Sequence, residues 1–134
     1  MKKFEVEVPA PVVWLNSNDR RHRQADAKLI KAWRETTRDL VPAGVEPFTE
    51  RVRILAFVTK PKRGRYDPGN LYPTAKACVD GLVDAGVLVD DDWVHVDGPD
   101  MRHGGLGPAG LRLVVESLIC PENLPTVADS ESIG

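Results

Sequence analysis

The sequence predicts an α/β (α+β) fold in one domain, with elements in the order β-α-β-α-β-β. Three observations predict it. Two apolar stripes recur at helical spacing, several segments alternate or cluster apolar residues as strands do, and Pro/Gly punctuation separates them. A chain of 134 residues supports one core that buries about two thirds of its unfolded surface. The folded domain is expected over residues 1–120, with 121–134 a disordered tail beginning at Pro121.

The first strand spans Lys2–Val8, where Phe4, Val6 and Val8 share one face, and Pro9 and Pro11 end it. An ordered polar loop, Trp14 to Arg23, leads into a helix over Gln24–Val41. Its buried stripe is predicted from Leu29, Ile30, Trp33, Thr37, Leu40 and Val41, and Pro42-Ala43-Gly44 stops it. Arg51–Thr59 alternates most clearly, with Val52, Ile54, Ala56 and Val58 on one face, and reads as a central strand. A basic connection, Lys60-Pro61-Lys62-Arg63-Gly64-Arg65-Tyr66, precedes a second helix from about Asn70 to Ala85. Leu71, Ala75, Cys78, Val79, Leu82 and Val83 form its stripe, Pro73 is tolerated in its first turn, and Gly86 suits its end. A short strand is predicted at Trp93–Val96, then a flexible loop through Met101–Pro108, then a final apolar strand at Leu111–Leu118.

The net charge of −2 conceals an asymmetry. Residues 1–66 hold 15 Lys/Arg against 8 Asp/Glu, net +7, and residues 67–134 hold 3 against 12, net −9. Basic groups attract phosphate and carboxylates hold divalent cations, a division that suits a metal-dependent nuclease but equally suits dimer complementarity. The start of the chain carries charges among its apolar residues, and no apolar run is long enough to span a bilayer. A cytoplasmic protein without membrane association is therefore expected. Cys78 and Cys120 lack metal-ligand spacing and read as thiols, and His22, His95 and His103 show no ligand pattern either. Trp14, Trp33 and Trp93 are expected to be packed rather than stacked on bases.

The segment from Lys60 to Asp92 is the most informative, because a basic loop, an Asp-containing turn, a helix with Lys76 and Asp80, and Asp90-Asp91-Asp92 follow in succession. Ionised carboxylates are hard ligands for Mg²⁺, and a nearby lysine offsets charge on a phosphorane-like transition state, a role for which Lys76 is the candidate. Each feature also has an ordinary reading. Asp90 to Asp92 would serve as a solvated turn, Asp67 and Asn70 as helix caps, and Lys76 with Asp80 as a surface pair.

Three stretches carry a family resemblance: Asp67-Pro68-Gly69-Asn70-Leu71, Lys76-Ala77-Cys78-Val79-Asp80-Gly81-Leu82, and Ala85-Gly86-Val87-Leu88-Val89-Asp90-Asp91. Their order resembles the RusA family of Holliday junction resolvases, in which D-x-D-N-L opens a helix containing K-x-x-x-D-x-L and a double aspartate follows. Pro11 and Asn16-Ser17-Asn18 are similar to that family's N-terminal region, so the likeness extends over about residues 3–118, weakly outside the central segment. The resemblance implies a RusA-like domain with a mixed sheet and two main helices, acting as a Mg²⁺-dependent (or Mn²⁺-dependent) endonuclease on four-way junctions in recombination or repair. It further implies a bacterial, phage or prophage setting. By position it makes Asp67 the first motif acid, Asn70 the motif asparagine, Lys76 the catalytic lysine, Asp80 the helix acid and Asp91 the essential acid of the pair. Gly69 stands where the family has its second motif aspartate, which would pass a ligand role to Asp90 or Asp92, and Tyr72-Pro73-Thr74 looks inserted. Catalysis is thus expected from Asp67, Lys76 and Asp91, metal binding from Asp67, Asp90 and Asp91, and support from Asn70, Asp80 and Asp92.

A helix from Asn70 to Ala85 would be about 24 Å long, and five residues after Gly86 reach at most about 17 Å. Asp67 and Asp91 would then stand far apart unless the connection doubles back, so a homodimer with composite sites is expected. Two symmetric sites also match a junction that must be nicked on two strands. Arg20, Arg21, Arg23, Lys60, Lys62, Arg63 and Arg65 are the candidate DNA contacts, with Arg102 and His103 as secondary candidates. The rival readings are a non-catalytic binder of branched or single-stranded DNA with a degraded site, and an interaction domain with no nucleic-acid role.

Overall fold

The computed structural model describes residues 2–19 and 23–118. The elements are β1 (Lys3–Pro9), α1 (Arg23–Leu40), β2 (Val52–Lys60), a 3-10 turn (Pro68–Leu71) that runs into α2 (Tyr72–Asp84), β3 (Val96–Leu106) and β4 (Gly110–Ser117). The fold is α+β, with the expected β-α-β-α-β-β order. The strands form one sheet in the order β1-β4-β2-β3. β4 pairs antiparallel with both β1 and β2, whereas β2 pairs parallel with β3, so the sheet is mixed and β2 is an inner strand.

Alternation in the sequence becomes two faces of this sheet. Val6, Val8, Ile54, Val58, Leu111, Leu113 and Val115 are buried in one core with Trp33 of α1 and Cys78 and Leu82 of α2. The two helices meet closely at Gly81, where a Cβ would collide with the carbonyl oxygen of Arg34 and stand 3.0 Å from Thr37 Cβ. A fork of hydrogen bonds also joins them, Arg34 Nε to Asp84 Oδ2 at 2.6 Å and the Arg34 terminal nitrogen to Asp84 Oδ1 at 2.9 Å.

Three local expectations need correction. In α1 only Trp33 and Thr37 of the anticipated stripe are fully buried, while Ile30 and Leu40 are exposed, because the helix touches its neighbours along a narrow line centred on the Gly81 crossing. Trp93 to His95 is a turn rather than a strand, with Trp93 80% exposed rather than packed. Most substantially, the stretch read as a flexible loop is strand: β3 continues past Gly98-Pro99 to Leu106, paired with β2 from Val52 to Lys60. Ile54 faces both Gly98 and Pro99 at a register shift between Arg53 and Leu55. Gly98 has φ +112° and its missing Cβ would stand 2.6 Å from the Ile54 carbonyl oxygen, so glycine is required at this bulge. β3 is an edge strand, where a proline costs no ladder hydrogen bond on its open side.

Candidate functional site

The position of α2 is set at its N-terminal end by loop contacts. Asp67 caps the 3-10 turn, its Oδ1 accepting the Gly69 amide at 2.9 Å, and Pro68 and Pro73 occupy first-turn positions that need no amide donor. The Thr74 hydroxyl exchanges hydrogen bonds with the Leu15 backbone at 2.8 Å, and the Asn70 carbonyl accepts from the Ser17 amide at 2.8 Å. These contacts tie the loop before α1 to the start of α2.

The C-terminal end of α2 reverses the chain. Gly86 has φ +83°, the Val87 amide donates to the Leu82 carbonyl at 3.0 Å, and Gly86 donates to Val83 at 3.0 Å. Leu88 then forms a parallel bridge with Phe48, whose amide donates to the Val87 carbonyl at 2.9 Å. Both Leu88 and Phe48 are buried, which anchors the returning segment. Asp91 is thereby carried back beside α2. Its carboxylate contacts the Lys76 ammonium, which also lies 3.3 Å from Asp80 Oδ1 one helical turn along. The connection does double back, and this cluster closes within a single chain.

The electrostatics follow from that contact. The hydrogen bond from Lys76, followed by one from Asp80, holds the Asp91 carboxyl down at about 2. Burial, followed by the hydrogen bond to Asp91, pushes the Asp80 carboxyl above its ordinary range against the pull of Lys76. Burial is the largest influence on Lys76 and draws it down, but Asp91 and Asp80 together carry its ammonium above the usual lysine value. Of the two acids, Asp91 therefore ionises first and Asp80 holds its proton to higher pH.

The other motif residues have different surroundings. Asp90 Oδ1 accepts the Asp91 amide at 2.7 Å and so shapes the approach to Asp91. Asp92 Oδ1 accepts the His95 amide at 3.1 Å and the His95 ring Nδ1 at 2.6 Å, holding the turn that presents Trp93. Asn70 lies in the 3-10 turn. Asp67 is joined to the Lys76 cluster by no hydrogen bond or ion pair among the described residues. Its carboxylate rests on the Gly69 amide, where a Cβ would stand 3.2 Å from Asp67 Oδ1. Glycine at position 69 and the capping role of Asp67 are thus one local arrangement.

No group of three or more His, Cys, Asp or Glu side chains suited to a metal ion occurs among the described residues. Mg²⁺ does not demand one, since it keeps several waters and commonly takes one or two carboxylates with substrate phosphate. Asp80 and Asp91 converge on a point where the Lys76 ammonium now stands in for a cation, so this donor pair fits Mg²⁺.

Of the candidate DNA contacts, Arg20 and Arg21 and the side chain of Arg23 lie outside the described residues. Lys60, Lys62, Arg63 and Arg65 make no ion pair among the described residues, whereas Lys2, Lys3, Arg34, Arg38, Arg53 and Arg112 are all paired. These four cations line a groove of about 320 Å³ with Trp14 and Tyr66. Tyr66 is fixed by a hydrogen bond between its hydroxyl and His103 Nδ1, and the Lys60 ammonium lies 4.3 Å from the centre of its ring. Trp14 stacks on buried Trp33 with centroids 5.1 Å apart.

Sequence reasoning passed over three of these features. The Asp84 partner of Arg34 was accessible in principle, because Lys76, Asp80 and Asp84 fall four apart on one helical face. The Tyr66–His103 contact and the aromatic wall formed by Trp14 join residues distant in sequence and had no local signal.

No protein-family model matches the chain, and no curated protein is significantly similar to it. Fold and site alone define its class: an α+β domain with a mixed four-stranded sheet, a lysine held between two aspartates, and a separate unneutralised basic loop. Among the described residues no helix is long and apolar enough to cross a membrane.

Proposed function

We propose that this protein is a Mg²⁺-dependent endonuclease that cuts branched DNA such as four-way junctions, working as a homodimer that nicks two strands. The observation that carries the reading is the convergence of Lys76, Asp80 and Asp91 across the reversal at Gly86. A surface salt bridge alone would need only the helical pair. Here an additional acid is delivered from another segment, with its approach shaped by Asp90.

Asp80 and Asp91 would hold the ion. Bound there, Mg²⁺ would supply Lewis-acid polarisation of the phosphoryl oxygen and activation of a water. Lys76, relieved of offsetting the two acids, would present its ammonium to the phosphate and stabilise the charge that develops during cleavage. Lys60, Lys62, Arg63 and Arg65 would bind flanking phosphates. A second copy related by a two-fold axis would give the paired cuts that junction resolution requires.

The reading is tested by nicking of synthetic four-way junctions with and without Mg²⁺, comparing the wild type with Asp91→Asn. Metal-dependent nicks lost in the variant are expected. Junction binding without nicking would favour a non-catalytic binder, a reading for which Gly69 and the capping of Gly69 by Asp67 speak specifically.

A further inference from the structure

We propose that the groove between Trp14 and the basic loop is a binding site for one unpaired nucleotide, with its base against Trp14 and Tyr66 and its phosphate on the loop cations. The inference rests on reading the loop as a DNA-facing surface, and it names the feature of branched DNA that the loop would select. Three observations carry it.

The first is size. A cavity of about 320 Å³ lies at the small end of the roughly 300–1,000 Å³ occupied by small-ligand sites, which suits one nucleotide unit. The second is charge. Lys60, Lys62, Arg63 and Arg65 reach this one space without an acidic partner among the described residues, so a phosphate entering it displaces no existing ion pair. The third is the rigidity of the aromatic walls. Trp14 is backed by Trp33, whose indole nitrogen donates to the Val13 carbonyl at 3.0 Å, and Tyr66 is held from its hydroxyl by His103. Aromatic rings held in place offer a stacking surface that accepts any base once the Lys60 ammonium, 4.3 Å from the centre of the Tyr66 ring, has moved from that ring to the phosphate, while an unpaired base exposes its own face.

Placement agrees. Tyr66 immediately precedes Asp67, and the 3-10 turn with the first part of α2 separates that point from Lys76 by about 15 Å along the axis. A strand anchored in the groove would pass toward the Lys76 cluster within a few nucleotides.

The test compares binding of oligodeoxythymidylate with that of an abasic oligomer of equal length and charge, at fixed salt. The wild type is expected to bind the base-bearing strand about tenfold or more tightly, the size of one or two stacked bases. Tyr66→Leu, which keeps the volume of an apolar side chain but lacks an aromatic face, is expected to bring the two affinities together. Tyr66→Phe, which loses the His103 contact but keeps the ring, is expected to retain most of the difference. Equal binding of both oligomers by the wild type, or an undiminished preference in Tyr66→Leu, would overturn the inference. Base preference with no Mg²⁺-dependent nicking would retire the nuclease reading and leave the groove. Nicking with no base preference would retire the groove alone.

Discussion

The Lys76 ammonium rests against the Asp91 carboxylate although 15 residues separate them, and Asp80, four residues on, takes the same ammonium from the helix itself. Two acids share one lysine at a point where the chain has reversed. Removing the lysine therefore leaves Asp80 and Asp91 facing each other without an offsetting charge. Lys76→Met is expected to lower stability at neutral pH by about 1–3 kcal/mol. Mg²⁺ is expected to raise the Tm of the variant more than that of the wild type, because the ammonium no longer competes for the two carboxylates. Thermal melts with and without MgCl₂ measure both effects, and a variant indifferent to Mg²⁺ would count against Asp80 and Asp91 as ligands.

Acid should release the same contact. The Asp91 carboxyl is held at about 2, below its reference value of 3.8, first by Lys76 and then by Asp80. A depressed carboxyl contributes stability that is present above the ordinary carboxylate range and lost as pH falls through the lowered value. Asp80 is shifted the other way, so its contribution is present at low pH and fades as pH rises through its raised value. The stability gap between wild type and Asp91→Asn is expected to be on the order of 1 kcal/mol near neutrality and to shrink from about pH 5 to about pH 2. Urea unfolding across that range would show it. A gap that does not change with pH would mean that the Lys76–Asp91 contact is not formed in solution.

Gly81 reports on the platform beneath the site. A methyl group there meets the Arg34 carbonyl, which is backbone and cannot swing aside, so α1 and α2 must separate. Gly81→Ala is expected to destabilise the fold by about 1–3 kcal/mol, despite the better helix propensity of alanine. Gly64→Ala, where nothing lies within 4 Å of the added carbon, is the matched control and should change stability little. Chemical denaturation of the two variants side by side gives the comparison.

Salt dependence measures the basic loop. If Arg63 and Arg65 contact phosphate, Arg63→Gln and Arg65→Gln should each weaken junction binding and reduce the slope of log affinity against log salt by about 1. Arg38→Gln, whose guanidinium is already paired with Asp39 Oδ1 at 3.0 Å, should leave the slope unchanged. Titrations at several KCl concentrations distinguish these outcomes.

Much of this architecture was legible because its signals are local. Both helices follow from period-3.6 stripes, β1, β2 and β4 from their apolar patterns, a cap before the second helix from Asp67, and the end of that helix from Gly86. The succession of Asp67, Lys76, Asp80 and Asp90 to Asp92 marked the segment as one worth testing, with catalysis expected from Asp67, Lys76 and Asp91. β3 was missed because Gly98, Pro99, Gly104 and Gly105 have low strand propensity. It is held by parallel pairing with β2, a partner more than 40 residues earlier in the chain.

By itself, then, the sequence determined which segments are helices, that β2 is an inner strand, where the helices end, and that acids and bases are segregated along the chain. Only the tertiary structure decided which acids meet. Asp91 joins Lys76 and Asp80 because the Phe48–Leu88 bridge and the burial of both side chains anchor the returning segment, while Asp67 stays with its own cap at Gly69. The physical reason is range: capping and periodicity act over a few residues, whereas the closure of a site depends on long-range contacts whose energy appears only when the whole core is formed.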